Sequence, residues 1–416
     1  MSNSSTAIQY SQPQMATMAA FICMFVCMVL SVAIGSAAIA QTAATEVTDS
    51  DPISDYLDAI ETAEEERSAY STELSDLYFG LGQSHFSKRE YERARRAYQR
   101  GMQIERVNYG LNSLSQAPYL LSIAEAESFL GNWDESQDAL ENLYTINSNA
   151  YGENDPRMLP VLDELLDWYM GTYGDRSHNG GYQNLVLSER LGKRMSTILN
   201  KSVSIDDPDA APRYRKIGHL HYFIANHIKQ YGEPSESGFT INSGSTISNP
   251  DSTSHQHFRR GKAALQKVIE SLEKQEDSSD SQKALAIAEL GDWYLVFGQR
   301  MSASKAYKLA YESLQSSSES QQLTETLFGQ PSMIEFTALG SNSKLPENDL
   351  QVSMVVSKAG VPGKMEILNP PENISKNQIR AILKDIRSKR FRPRLVDGET
   401  IESSIIFPYS SKQTQG

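Results

Sequence analysis

The sequence predicts a mostly α chain: a run of stacked helical hairpins, closed by a small α+β unit of ββαβ order. Three observations carry that expectation. Between Tyr78 and Gly101 a stripe of large and small apolar residues occurs twice at helical spacing. Between Ile287 and Ala310 the same arrangement returns. From Leu350 onward the apolar period changes from 3.6 to 2, the signature of a half-buried strand.

The chain has 416 residues, a formal net charge of −13 and a mean hydropathy of −0.46, so it belongs with soluble globular proteins of two or three domains. A net negative charge of that size disfavours attraction to nucleic acid or to an anionic membrane.

The first 45 residues contain no Asp, Glu, Lys or Arg, and 15–40 form one apolar and small-residue run. Its end, Ala38-Ile39-Ala40 before Gln41, fits a signal-peptidase site, so segment 1–40 is expected to be a secretory signal peptide. The run is also long enough to span a bilayer as an uncleaved transmembrane anchor. Both cysteines, Cys23 and Cys27, lie inside it, so a chain cleaved near Ala40 carries no disulfide, thiol nucleophile or Cys-ligated metal. Residues 41–72 read as an acidic linker and lead-in helix, with Asp55, Asp58, Glu61, Glu64, Glu65 and Glu66 against Arg67. Such a helix is a solvated face, or a contact for a basic segment elsewhere.

Residues 73–317 are expected to hold about five hairpins. In the first, Tyr78, Leu81, Gly82 and His85 share one helical face and Tyr91, Ala94, Tyr98 and Gly101 another. Gly82 and Ala94 let the two helices approach closely while the aromatics fill the sides. A hairpin of this kind cannot bury its stripe alone, so it requires neighbours. A second is marked by Leu120, Ile123-Ala124, Leu130-Gly131, Trp133, Leu140 and Leu143. A third joins 159–173 to 185–199 through the turn 174–181. The fourth is split: Tyr214, Ile217-Gly218, His221 and Ala225 precede a polar insertion at 232–254, and Phe258, Gly261, Leu265 and Val268 follow it. The fifth spans 284–317, with Ile287, Leu290-Gly291, Tyr294, Ala303, Tyr307 and Ala310.

On these residues the chain resembles the tetratricopeptide-repeat (TPR) family. Tyr78, Leu81-Gly82, His85, Ala94, Tyr98 and Gly101 take the family's positions, with His85 where tyrosine is usual and Gly101 where alanine is usual. Tyr109-Gly110 and Tyr151-Gly152 recur at 42 residues (151 − 109), as in extended variants. The resemblance implies a right-handed α-solenoid whose concave groove is lined by the first helix of each hairpin. Candidate peptide-groove residues are then Gln83, Phe86, Glu125, Phe129, Asp167, His219, Tyr222 and Asp292.

Residues 318–346 read as linker, and 347–411 as the α+β unit. Leu350, Val352, Met354 and Val356 alternate, Gly360 marks a turn, and a second strand follows from Lys364. Ser375 is the expected N-cap of a helix to about Lys389, with Ile379, Ile382, Leu383 and Ile386 as its buried stripe. The Asp397-Gly398 turn and a strand over 401–407 complete the unit. With Arg390-Phe391-Arg392-Pro393, Gly398 and Ile405-Ile406-Phe407 it resembles the C-terminal domain of TonB-type proteins. That family implies a small periplasmic domain pairing by strand addition with peptides of outer-membrane receptors. A proline-rich spacer is missing here, and so is the histidine of the family's membrane anchor.

His219, His221, His227, His255 and His257 lie close in sequence, but His219 and His221 point to different sides of one helix, so no metal site is expected. The segment 376–394 carries eight Lys or Arg against Asp385, a solvated face or a contact for an acidic protein. A nucleophile elbow, phosphate loop, HExxH or Rossmann glycine pattern is absent from the sequence. The expectation is therefore an exported periplasmic protein–protein interaction adaptor, not an enzyme, with no cofactor. Its partners are protein or peptide in the cell envelope, an outer-membrane receptor or inner-membrane complex among them, and not nucleic acid. The alternative is an inner-membrane-anchored TonB-type energy transducer.

Overall fold

The computed structural model describes residues 51–173, 181–232, 250–315, 320–336, 350–371 and 374–409. The segment 1–40 expected to be a signal or anchor lies outside them, as do the turn at 174–180, positions 233–249 of the insertion and 337–346 of the expected linker. No helix among the described residues is long and apolar enough to cross a membrane.

The described part is mostly helical, with a small sheet region near its C-terminal end. A lead-in helix α1 (Pro52–Glu66) precedes five helical pairs. These are α2 (Thr72–Ser87) with α3 (Tyr91–Tyr109), α4 (Ala117–Leu130) with α5 (Trp133–Tyr151), and α6 (Leu159–Thr172) with α7 (Gly181–Ser202). The last two are α8 (Ala210–Tyr231) with α9 (Pro250–Lys274) and α10 (Asp280–Val296) with α11 (Arg300–Gln315). Each helix packs on the next along the chain.

The small residues in the stripes explain how closely the pairs approach. A Cβ on Gly82 would stand 2.4 Å from the Tyr98 ring, and one on Gly291 2.5 Å from the Tyr307 ring. The two positions are equivalent in the first and fifth pairs, and in both the glycine's missing side chain is the space the tyrosine fills. Apolar stripes of neighbouring pairs merge into continuous cores. The largest joins Leu162, Leu166, Met195, Leu220, Leu265 and Trp293.

Two boundaries differ from expectation. Helix α9 begins at Pro250, inside the insertion expected to run to 254, because proline is favourable in a first helical turn and polar residues such as Ser252, Thr253 and Ser254 are compatible with helix as well as with loop. Part of the stretch expected to be linker is also structured. Helix α12 (Ser320–Phe328) buries Leu327 and Phe328 against Ala306, Tyr307 and Leu314 of α11, and β1 (Ser332–Met333) follows.

The C-terminal region contains β2 (Leu350–Val356), β3 (Pro362–Ile367), α13 (Lys376–Ser388), β4 (Phe391–Arg392), β5 (Arg394–Val396), β6 (Glu399–Ile401) and β7 (Ser403–Tyr409). The order β3-β2-β7 is antiparallel, with Val352 opposite Ile367 and Phe407. Leu350, Val352, Met354 and Val356 are buried in alternation under Ile382 and Ile386 of α13. Ser375 and Gln378 close a reciprocal capping box at the start of α13.

This region is joined to the helices at several points. Residues after α12 return to it, Ser332 pairing with Arg392 and Met333 with Phe391. Leu395 of β5 is buried among Ala306, Leu314 and Leu327. Gly360 has φ 66°, and a Cβ there would stand 2.2 Å from the Phe391 carbonyl oxygen and 2.6 Å from Leu295 of α10.

Candidate protein-binding face

The eight expected groove residues come from the first helices of the five pairs, α2, α4, α6, α8 and α10. They divide into an open group and a covered one.

Gln83 and Phe129 are exposed, Phe129 to 57%. Phe86 is half-buried and meets both Tyr91 and Phe129 edge-on at 5.2 and 5.5 Å, while Tyr91 and Phe129 stack at 4.7 Å. The result is an aromatic ledge beside a shallow depression lined by Arg89, Tyr91 and Leu130. One turn before Phe129, Glu125 is half-buried, and burial raises its carboxyl above the ordinary value.

A ladder of charges continues from there. Burial pushes the neighbouring Glu164 up to about 7, helped by Asp167. Asp167 is raised to about 6 by burial, which Lys216 opposes. Lys216 donates to Asp167 at 2.8 Å and to Asp163 at 3.1 Å, and Arg213 donates to Asp163 at 2.7 Å. The Oδ1 of Asp167 is buried with no hydrogen-bond partner. Neither Glu125 nor Glu164 forms an ion pair among the described residues.

The last third of the stripe is covered by the chain itself. His219 Nε2 lies 2.6 Å from Glu289, which also accepts from Arg215 at 2.7 Å. Burial works to raise Glu289, yet His219 and Arg215 hold it below the ordinary carboxylate value. Phe336, which follows β1, packs on Tyr222 at 4.7 Å, His219 at 5.2 Å and Trp293 at 5.7 Å. Asp292, only 6% exposed, accepts from Tyr307 Oη at 2.8 Å and from two guanidinium nitrogens of Arg392 at 3.0 and 2.5 Å. Burial drives the Asp292 carboxyl up, and the guanidinium draws it back. Thus His219, Tyr222 and Asp292 do not line free space.

Several participants escaped the sequence reading. Lys216 lies three residues before His219, so its place on the same face was available from helical spacing. Phe336 and Arg392 arrive from distant parts of the chain, and no spacing rule reaches them. The clustered histidines do not converge. His221 and His257 face each other with Nδ1 atoms 3.0 Å apart, His227 meets Tyr173 at 2.8 Å, and His255 stacks on Phe258. No group of three or more His, Cys, Asp or Glu is arranged to hold a metal ion among the described residues.

No protein-family model matches the sequence, and no curated protein matches it. Among solved structures, the chain is similar to the crystal structure of BtubC (BKLC) from P. vanneervenii, at 12% identity and a TM-score of 0.42, over 63% of this chain and 89% of that one. A likeness at that level carries no argument about function.

Proposed function

We propose that the paired helices form a TPR-like solenoid and that the protein is an exported envelope adaptor binding a protein or peptide partner along the inner face of that solenoid. The observation that carries this reading is the continuity of the face. Phe86, Phe129, Glu125, Glu164 and Asp167 succeed one another from pair to pair, open at one end. At the other end the same stripe already receives a phenylalanine and an arginine from outside the hairpins. Aromatic ledges and part-desolvated carboxylates are the means by which a groove recognises a side chain with an apolar body and a cationic tip.

The C-terminal region is, in this reading, a TonB-like domain. Its three-stranded sheet has outer strands whose free sides could accept an added strand through backbone hydrogen bonds. The alternative, an energy transducer, requires that domain to reach away from the helices, which would break the buried Arg392–Asp292 pair and uncover Leu395.

The test is capture from envelope extract with the processed protein. Phe129→Ala combined with Glu125→Lys is expected to lose the captured partner, whereas Gln99→Glu, on the exposed side of α3, keeps it. Equal capture by all three proteins would remove the groove from the reading. N-terminal sequencing of the same preparations separates a soluble form starting at Gln41 from an uncleaved anchor.

A further inference from the structure

The first and last helices of the described residues carry opposite charge. Helix α13 turns Ile382 and Ile386 into the sheet and leaves Lys376, Arg380, Lys384 and Arg387 exposed. Their spacing of four, four and three residues puts them in one line along the helix, spanning ~16 Å. None of the four forms an ion pair among the described residues; Lys389, at the helix end, takes Asp385 at 3.7 Å. On the helical pairs the part-buried cations Arg95, Arg213, Arg215 and Lys216 are matched to carboxylates, while exposed ones such as Arg190, Lys193 and Lys305 are not ion-paired among the described residues and do not fall in one line of four.

Helix α1 is the counterpart. It packs on α2 through Ile60 and Ala63 and leaves Asp58, Glu61 and Glu65 exposed, three and four residues apart, hence also on one face over ~10 Å. These three make no ion pair among the described residues. Within one chain α1 rests on the first pair and α13 on the sheet that follows the fifth, and no ion pair joins the two lines among the described residues.

We propose that the cationic face of α13 docks the acidic face of α1 in a second copy of this chain, giving head-to-tail self-association. The contact is heterologous: each copy keeps one unused end of each kind, so growth continues unless the geometry closes a ring. Exposed ion pairs are individually weak, and two copies of net charge −13 repel. Salt screens such charges beyond ~10 Å at about 0.1 M, so the association is weak, concentration-dependent and lost as salt is raised. It is independent of the groove.

Sedimentation of the protein as its cell processes it gives the test. At low ionic strength the weight-average mass is expected to rise with concentration, and to return to that of the monomer at high salt. A variant with Lys376→Glu, Arg380→Glu, Lys384→Glu and Arg387→Glu has two acidic ends. One with Asp58→Lys, Glu61→Lys and Glu65→Lys has two basic ends. Each alone should stay monomeric, and an equimolar mixture should associate again, which also shows that both variants are folded. A wild-type chain that stays monomeric at low salt overturns the proposal, whatever other acidic or anionic partner α13 then captures. So does a mixture that stays monomeric, or either variant associating alone.

Discussion

At the scale of single residues, the most consequential group is Asp292. It is buried, accepts from Tyr307 and is the counter-charge of buried Arg392. Removing one partner of a buried pair leaves an unpaired charge out of water, which costs about 3–5 kcal/mol, whereas replacing both by apolar residues is often close to neutral. Asp292→Ala is therefore expected to lower stability to urea by roughly that amount, and Asp292→Leu with Arg392→Met to recover most of it. Equal losses in the single and double variants would show that the pair is not the reason. Gly82 and Gly291 give a second expectation. An added methyl at either meets an aromatic ring that has no room to retreat, since Tyr98 and Tyr307 are themselves buried. Overpacking of this kind costs typically 1–3 kcal/mol. Gly82→Ala and Gly291→Ala should both lower the thermal midpoint, and an unchanged midpoint would mean that the helices separate without penalty.

At the scale of elements, α6 carries a pH dependence whose sign is fixed by burial. Glu164 has a folded pKa of about 7 against an ordinary 4.5, and Asp167 about 6 against 3.8. For a carboxyl raised on folding, the folded state holds the proton more tightly than the unfolded state. Stability contributed by that proton is present below the ordinary value and is lost as pH rises through the folded one. Glu164→Gln should therefore melt higher than wild type above pH about 7 and match it below about 4.5, as differential scanning calorimetry at several pH values would reveal. The opposite ordering would mean that Glu164 is stabilised as an anion. The same elements show what a sequence makes legible. Helices with a stripe at 3.6 spacing, the alternation of Leu350 to Val356 and the cap at Ser375 are local patterns, and local patterns can be read. Helix α12 was hidden because its packing rests on Leu323, Leu327 and Phe328 alone, in a short and otherwise polar stretch. The start of α9 was hidden because a polar helical turn and a loop share a composition. Three of the eight residues of the proposed face are covered for a reason that lies outside their own helices. His219, Tyr222 and Asp292 sit on the expected side of their helices, but what covers them comes from Phe336 and from Arg392, the latter 100 residues beyond Asp292.

At the scale of the whole molecule, the question is whether the C-terminal sheet region unfolds with the helices or apart from them. A bead joined by a linker would melt on its own. Here Phe336 belongs to the core of α8 and α10, Leu395 to that of α11 and α12, and Arg392 to the buried pair with α10. Shared cores couple the two parts, because neither can expose its side of the contact without the other losing apolar burial. Leu395→Ala removes buried methyl groups from a site made by both parts and should cost about 2–5 kcal/mol. Leu395 belongs to β5, so in an uncoupled molecule its loss would leave the helical far-ultraviolet signal melting at its original temperature. In the coupled molecule that signal moves down together with the signal of the buried aromatic Phe391 and Tyr409 cluster, in one transition. A helical midpoint that stays put while the sheet melts earlier would show that the two parts unfold separately.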